Sequence, residues 1–501
     1  MKMAQAVMAP ADLTAARIGE IAAGGAQPGS AGHGPGVRLG PELLAGVQRQ
    51  CERARAELRR GHPVYGVNTG MGALSGVRLT EAEQLVHQRQ LMLARATGGP
   101  PWLDAADVRA IFAVRLRTFL SGDAGVSGPL CQRLADFLAE GIIPAVPRTG
   151  VGSAGEIMPL AHAFGPLAGL GQVLGPGGGL RPAGQALRAH GLAEFALGPK
   201  EGIALLAGVP GATALSVRRV AAARDLAGLM EAAAGLSIAA AGAPRDPYAA
   251  ACARGDDILA GVLGRLRAAA GPHPEPAMLQ APVSFRVAGP VLTQVLRAAD
   301  ALSAAIERAL TGVTDSPAFL GGRFVGTAGF HGIDLAAHCD QLTAALAHAA
   351  EVSAARVHRL LDPHVTGLPA QLARTPGPDA GLVAVHKRAA GEVHAMRRLA
   401  VATPVGLIET SGGQEDVQSF GWEAAEVLRA ALHHARIVTA CELLTAGQAI
   451  ALADRTPPPG CRGVLGWLAG LTEPILADRP FGQDIERIAA APWPAGVARE
   501  N

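Results

Sequence analysis

The chain has 501 residues, of which 49% are hydrophobic but only 3% aromatic, so its core must be built from Ala, Leu, Val and Ile, whose small side chains suit close helix packing. A formal net charge of +2 without a long basic run argues against nucleic acid as the main partner, and no block of like charge marks a disordered tail. The length suits two or three ordinary domains or one large helical assembly.

Residues 1–21 carry Lys2, Asp12, Arg17 and Glu20 and no intact apolar run, unlike a secretory signal. The cysteines, Cys51, Cys131, Cys252, Cys339, Cys441 and Cys461, are scattered, with no Cys-x-x-Cys pair and no His-containing metal spacing. They read as small buried hydrophobes, no metal is expected, and the expected location is the cytoplasm. Apolar residues recur at three- and four-residue spacing over 81–96, 106–120, 217–236, 294–310, 334–361 and 422–452, which predicts long helices. The last is apolar over more of its circumference than a surface helix usually is. The uncharged stretch 157–180 is long enough to span a bilayer, but Pro159, Pro166, Pro176 and many glycines interrupt it. It predicts a buried helix and loop, and no membrane partner is expected. Gly- and Pro-rich stretches at 24–36, 175–179, 271–276 and 457–460 predict loops. The glycine run at 175–179 lacks the Gly-Lys-Ser/Thr end of a phosphate-binding loop.

Residue by residue, several side chains have both a functional and a structural reading. Tyr65, in a Gly-rich loop before Asn68-Thr69-Gly70, is placed to reach a ligand or to make a structural hydrogen bond. A phenol ordinarily titrates near ~10, so base catalysis there needs a positive field, from Arg286 or Arg95. Arg286 lies in a weakly charged run and needs an anion, either a carboxylate ligand or an internal partner. Arg95 holds a second acidic group of a ligand, or pairs with Glu415 or with another subunit. Glu415 is a proton donor or acceptor, or a helix-start carboxylate. His162 and His331 rank below Tyr65 and Arg286 as catalytic groups.

Motifs at 65–72, 149–162, 200–202, 280–286, 314–317, 330–332, 367–369 and 410–416 follow one another in an order that resembles the histidine and aromatic amino-acid ammonia-lyases and aminomutases. Residues 65–72, Tyr-Gly-Val-Asn-Thr-Gly-Met-Gly, are similar to the loop whose tyrosine removes the substrate β-proton. Residues 149–162 resemble the window whose Ala-Ser-Gly cyclises to 4-methylidene-imidazol-5-one. Lys200-Glu201-Gly202, Gln280 with Pro282, Ser284 and Arg286, Thr314-Asp315-Ser316-Pro317, Phe330-His331-Gly332, Gly367-Leu368-Pro369, and Thr410-Ser411 with Gln414-Glu415-Asp416 continue the correspondence. The resemblance implies a mainly α fold, a long near-parallel central helix bundle with a smaller mixed N-terminal lobe. It also implies a homotetramer whose active sites draw residues from several subunits. It casts Tyr65 as base, Arg286 as carboxylate clamp and Glu415 as acid, with Arg95, Phe330, Asn68 and Gln414 toward the substrate.

The departures from that pattern cluster at the amine-handling groups. The triad reads Ser153-Ala154-Gly155, so the middle residue has no β-hydroxyl to lose, and the ring is not expected to form. Ala207 and Val283 replace an asparagine and a tyrosine, Ala94-Arg95 replaces a Ser-His pair, and Thr311 and Ser316 replace asparagines. The chain is expected to comprise a lobe at 1–200 with the Tyr65 loop and the altered window, a helical bundle at 201–455 and a tail at 456–501. The expected function is Tyr-mediated proton abstraction with elimination, isomerisation or cyclisation on a small carboxylate-bearing substrate, without a cofactor. A silent relative that binds a small acid or a partner protein, and an ordinary ammonia-lyase or aminomutase, are the alternatives.

Overall fold

The structure, a computed structural model, describes residues 6–24, 36–272, 276–406, 408–453 and 456–493. It is mainly α. The periodic segments form helices Glu81–Arg95, Ala105–Leu120, Pro210–Ala240, Ala288–Thr311, Ile333–Leu360 and Gly421–Leu452. Four match their predicted ranges within one residue, whereas Pro210–Ala240 extends well beyond 217–236 and Ala288–Thr311 begins six residues before 294. The β content among the described residues is confined to two-stranded pairs, such as antiparallel Gln172–Leu174 with Leu180–Pro182. The predicted loop at 175–179 is the turn of that hairpin. Most of the predicted loop at 24–36 and the centre of that at 271–276 lie outside the described residues.

Local chemistry explains several boundaries. Thr80 and Glu83 form a capping box, with Thr80 N–H donating to Glu83 Oε2 at 2.8 Å, which satisfies an end donor of helix Glu81–Arg95. Asp104 and Ser127 cap the next two helices through their side-chain oxygens. Gly211 lies where an added Cβ would stand 2.1 Å from the Trp422 ring, so only hydrogen fits at this crossing.

Two compact units divide the chain. The first comprises Met1–Arg218, Leu302–Cys339 and Ala402–Glu426, and the second Arg219–Ala301, Asp340–Val401 and Val427–Asn501. In the first, Phe112, Phe137 and Phe164 meet at ring distances of 5.6 and 5.1 Å. The Arg115 guanidinium lies over Phe119 and Phe164, at 5.0 and 5.5 Å from the ring centres. In the second, Glu442 is fully buried and accepts from Ser237, Ser353 and Arg356. The stretches Glu201–Ala240 and Gly421–Leu452 are apolar and long enough to cross a membrane, but 89% and 78% of their most apolar windows are buried within the protein. Burial in a protein core accounts for that composition. Cys252 departs from expectation: it is exposed, whereas the other five cysteines are buried.

Candidate functional site

The first unit contains a cavity of about 430 Å³ lined by Tyr65, Met71, Ala154, Gly155, Ile157, Ile203, Leu206, Ala207, Phe324, Phe330, Gln414 and Glu415, with Ser316 and Pro317. Three separated loops thus converge: the Tyr65 loop, the Ser153-Ala154-Gly155 window and the segment before helix Gly421–Leu452.

The Tyr65 loop is held by its own side chains. Asn68 is buried, accepts from Val64 N–H at 2.7 Å and donates to the His62 carbonyl at 2.7 Å. It therefore shapes the loop and does not line the cavity. Gly66 has φ +67, and a Cβ there would meet Ile203 Cδ1 at 2.2 Å, so the turn requires glycine. Buried Gln88 ties this turn down by donating to the Gly66 carbonyl at 3.1 Å and accepting from Ile203 N–H at 2.9 Å. At the cavity, Gly72 N–H donates to the Tyr65 phenol oxygen at 2.8 Å. An amide aimed at that oxygen stabilises negative charge developing there.

Opposite lies the altered window. Ser153 Oγ donates to the Gly155 carbonyl at 2.8 Å, and Ala154 N–H donates to Glu415 Oε2 at 2.9 Å. The same carboxylate oxygen accepts from Thr410 Oγ1 at 3.1 Å. Ala154 presents a methyl group where ring formation draws on a β-hydroxyl. Arg95 is not on the cavity lining, yet it couples electrostatically to both Tyr65 and Glu415. Burial lowers its pKa, and those two groups oppose the shift. Glu156, next in the chain, is buried against the N-terminus of helix Pro210–Ala240 and accepts from Gly211 and Ala212 N–H, both at 2.6 Å. Burial pushes its carboxyl up to about 7, against the pull of those two amides and of Arg115.

On the cavity wall, Ala207 ends helix Glu201–Leu206, and Arg115 donates to its carbonyl. Burial brings the Arg115 guanidinium down to about 10, and Asp315 and Glu156 oppose that shift. Lys200 Nζ pairs with buried Asp315 at 2.8 Å, which fixes the Thr314-Asp315-Ser316-Pro317 turn on the cavity wall. His162 accepts from Gly98 N–H at 3.0 Å, and burial lowers its pKa, so it is a neutral structural group. Arg286 lies in the second unit on the short helix Val283–Arg286 and is not among the residues lining this cavity, and its buried Nε has no partner among the described residues.

The structure thus brings together Tyr65, Ala154, Gly155, Phe330, Gln414 and Glu415, with Arg95 in electrostatic reach, and leaves Asn68 and Arg286 off the lining. Sequence reasoning gave no role to Gln88 or Arg115. Gln88 had a readable signal, because it shares the buried stripe of its helix with Leu91 and Met92.

The family model for aromatic amino acid lyases matches residues 27–468. The chain belongs to that family. A histidine ammonia-lyase from Streptomyces avermitilis is 32% identical over 490 residues, covering 92% of this chain and 90% of that one. The solved tyrosine aminomutase of Streptomyces globisporus superposes with a TM-score of 0.87 at 26% identity, covering 97% of this chain and 95% of that one. Ergothionase from Treponema denticola, an ergothioneine-degrading enzyme, superposes with a TM-score of 0.89 at 23% identity over 97% of this chain and 98% of that one, a likeness of fold. The mainly helical lyase fold expected from the motifs is the fold observed.

Proposed function

We propose that this family member catalyses proton abstraction by Tyr65 on a small carboxylate-bearing substrate, followed by elimination, isomerisation or cyclisation, without a methylidene-imidazolone. One observation carries the reading: Ala154, at the ring-forming position, has a methyl side chain, while its N–H is held by Glu415. Ring closure joins the first carbonyl carbon to the glycine nitrogen and takes the proton from the middle nitrogen. Dehydration of the middle side chain then makes the electrophilic methylene, and Ala154 has nothing to eliminate. The residues present do not fit the group.

The remaining groups suit acid–base chemistry. Tyr65 as phenolate takes a proton from the carbon β to the carboxylate, the C–H electron pair forms the new double bond, and the leaving group departs with its own pair. Glu415, fixed by Ala154 and Thr410, holds or delivers the second proton. Phe330 and Met71 provide apolar wall. Without an electrophile to activate an amine, the leaving group must be better than ammonium, or the proton must be acidified by a neighbouring carbonyl or imine. A trialkylammonium group meets the first condition because, with no N–H to lose, it stays cationic beside the base and departs as a neutral tertiary amine. Arg286 is the carboxylate clamp in this reading and is supplied by another subunit of a cytoplasmic homotetramer.

The test combines a mass spectrum with a substrate panel. The peptide spanning 149–180 is expected at full mass, and a peptide lighter by two waters would restore an ordinary ammonia-lyase or aminomutase. Histidine, phenylalanine and tyrosine are then compared with their Nα-trimethyl betaines and other small acids. Release of amine from betaines but not from primary amines supports the reading. Carboxylate binding without turnover of any panel member favours a silent binding protein.

A further inference from the structure

The turn that carries Arg286 is only four residues long, Val283–Arg286, and so short a helix cannot fix its own geometry. Two side chains from distant parts of the second unit do so. Tyr248 is fully buried, and its hydroxyl donates to the Phe285 carbonyl at 2.6 Å. Arg356, also buried, donates through Nη1 to the Ser284 carbonyl at 3.0 Å. These are the carbonyls one and two residues before Arg286, so the two bonds set the direction in which its side chain leaves the backbone.

Arg356 is itself fixed. Its Nε and Nη2 donate to the Glu442 carboxylate at 2.6 and 2.9 Å, and the same carboxylate accepts from Ser237 Oγ at 2.7 Å and Ser353 Oγ at 2.5 Å. Every strong acceptor direction of Glu442 is used, and the planar guanidinium has its remaining edge free for Ser284. Removed from water, such a network has one good arrangement and holds it. The end product is an arginine whose Nε is buried without a partner among the described residues. Arg286 as a residue is only half buried, and a guanidinium carried on an over-determined turn is preorganised for an anion.

We propose that Tyr248 and the Arg356–Glu442 pair are positioning residues that aim Arg286 at the substrate carboxylate. The proposal rests on the carboxylate-clamp reading of Arg286 given above. Tyr248, one of only two tyrosines in the chain, thereby acts on substrate through Arg286, whereas Tyr65 touches substrate directly.

The test is a double-mutant cycle on the full-length protein, with binding of sodium trans-cinnamate, a planar carboxylate, read by titration calorimetry. Arg286→Ala is expected to weaken binding about a hundredfold and Tyr248→Phe about tenfold. The double variant should bind no more weakly than Arg286→Ala alone, because Tyr248 has no other route to the ligand. Ser353→Ala, which removes one of the donors to Glu442, provides a milder second variant and should move affinity in the same direction as Tyr248→Phe, again only while Arg286 is present. Losses that add in the double variant, or Tyr248→Phe binding as tightly as the unaltered protein, would overturn the positioning role and leave the clamp standing. Equal binding by Arg286→Ala and the unaltered protein would remove Arg286 from the site and the positioning role with it.

Discussion

The backbone N–H of Ala154 donates to Glu415 Oε2 at 2.9 Å, joining two residues that are 261 positions apart. The bond fixes the carboxylate against the cavity wall through a group that exists only in the uncyclised peptide. Glu415→Gln keeps an oxygen to accept from Ala154 and Thr410, so the fold should be retained, but the ionisable group is gone. Turnover is expected to fall by roughly 10²–10⁴-fold with little change in melting temperature. Steady-state kinetics beside circular dichroism melts check both halves, and full activity in the variant would remove Glu415 from the chemistry.

Tyr65→Phe removes the phenol oxygen that accepts from Gly72 N–H and leaves the apolar ring in place. Turnover of any substrate found should be lost while the melting temperature stays nearly constant, since a partly exposed hydrogen bond contributes only about 0.5–1.5 kcal/mol. Unchanged turnover would sink the base assignment.

Gln88→Leu should destabilise the protein and disorder the site together. The substitution leaves the Gly66 carbonyl and the Ile203 N–H unpaired in a buried setting, at about 1–3 kcal/mol for each. Urea unfolding should show the lower midpoint, and turnover should fall with it because the Gly66 turn carries Tyr65. A midpoint equal to that of the unaltered protein would show that the loop is held by other contacts.

Glu156 should make stability depend on pH. Its carboxyl titrates at about 7 in the folded protein against an ordinary 4.5, so the folded state binds the proton more tightly. The stabilisation from that proton is fully present below about pH 4.5 and is lost as pH rises through about 7. The melting temperature should therefore carry a decline across this window that Glu156→Gln flattens. At low pH the variant should be less stable than the unaltered protein, because no carboxyl proton is gained and one amide of Gly211 or Ala212 faces an NH₂ group. An identical slope in both proteins would place the titration elsewhere.

Much of the fold was legible along the chain. Apolar spacing over 422–452 and 334–361 outlined helices now seen at Gly421–Leu452 and Ile333–Leu360, because a 3.6-residue period is a local property of sequence. The hairpin at 172–182 was harder to read, since its three-residue strands are too short to show alternation and its turn is glycine-rich. The role of Asn68 was also hidden: its side chain closes onto His62 and Val64, a choice made by the loop's own backbone shape. Gln88 shares a stripe of its helix with Leu91 and Met92, a local sign of burial, but the Gly66 turn and Ile203 at either end of its amide are brought there only by tertiary packing.

The sequence by itself determined the covalent possibilities of the window: Ala154 has no β-hydroxyl in any conformation, and Ser153 carries its hydroxyl one position away. The tertiary structure alone decided which groups share a cavity. Tyr65, Ala154, Phe330 and Glu415 meet because segments far apart in the sequence converge on one cavity, and only that packing brings Arg115 to the Ala207 carbonyl and Lys200 to Asp315. Side-chain chemistry is written residue by residue, whereas proximity and burial arise from long-range contacts that no local pattern encodes.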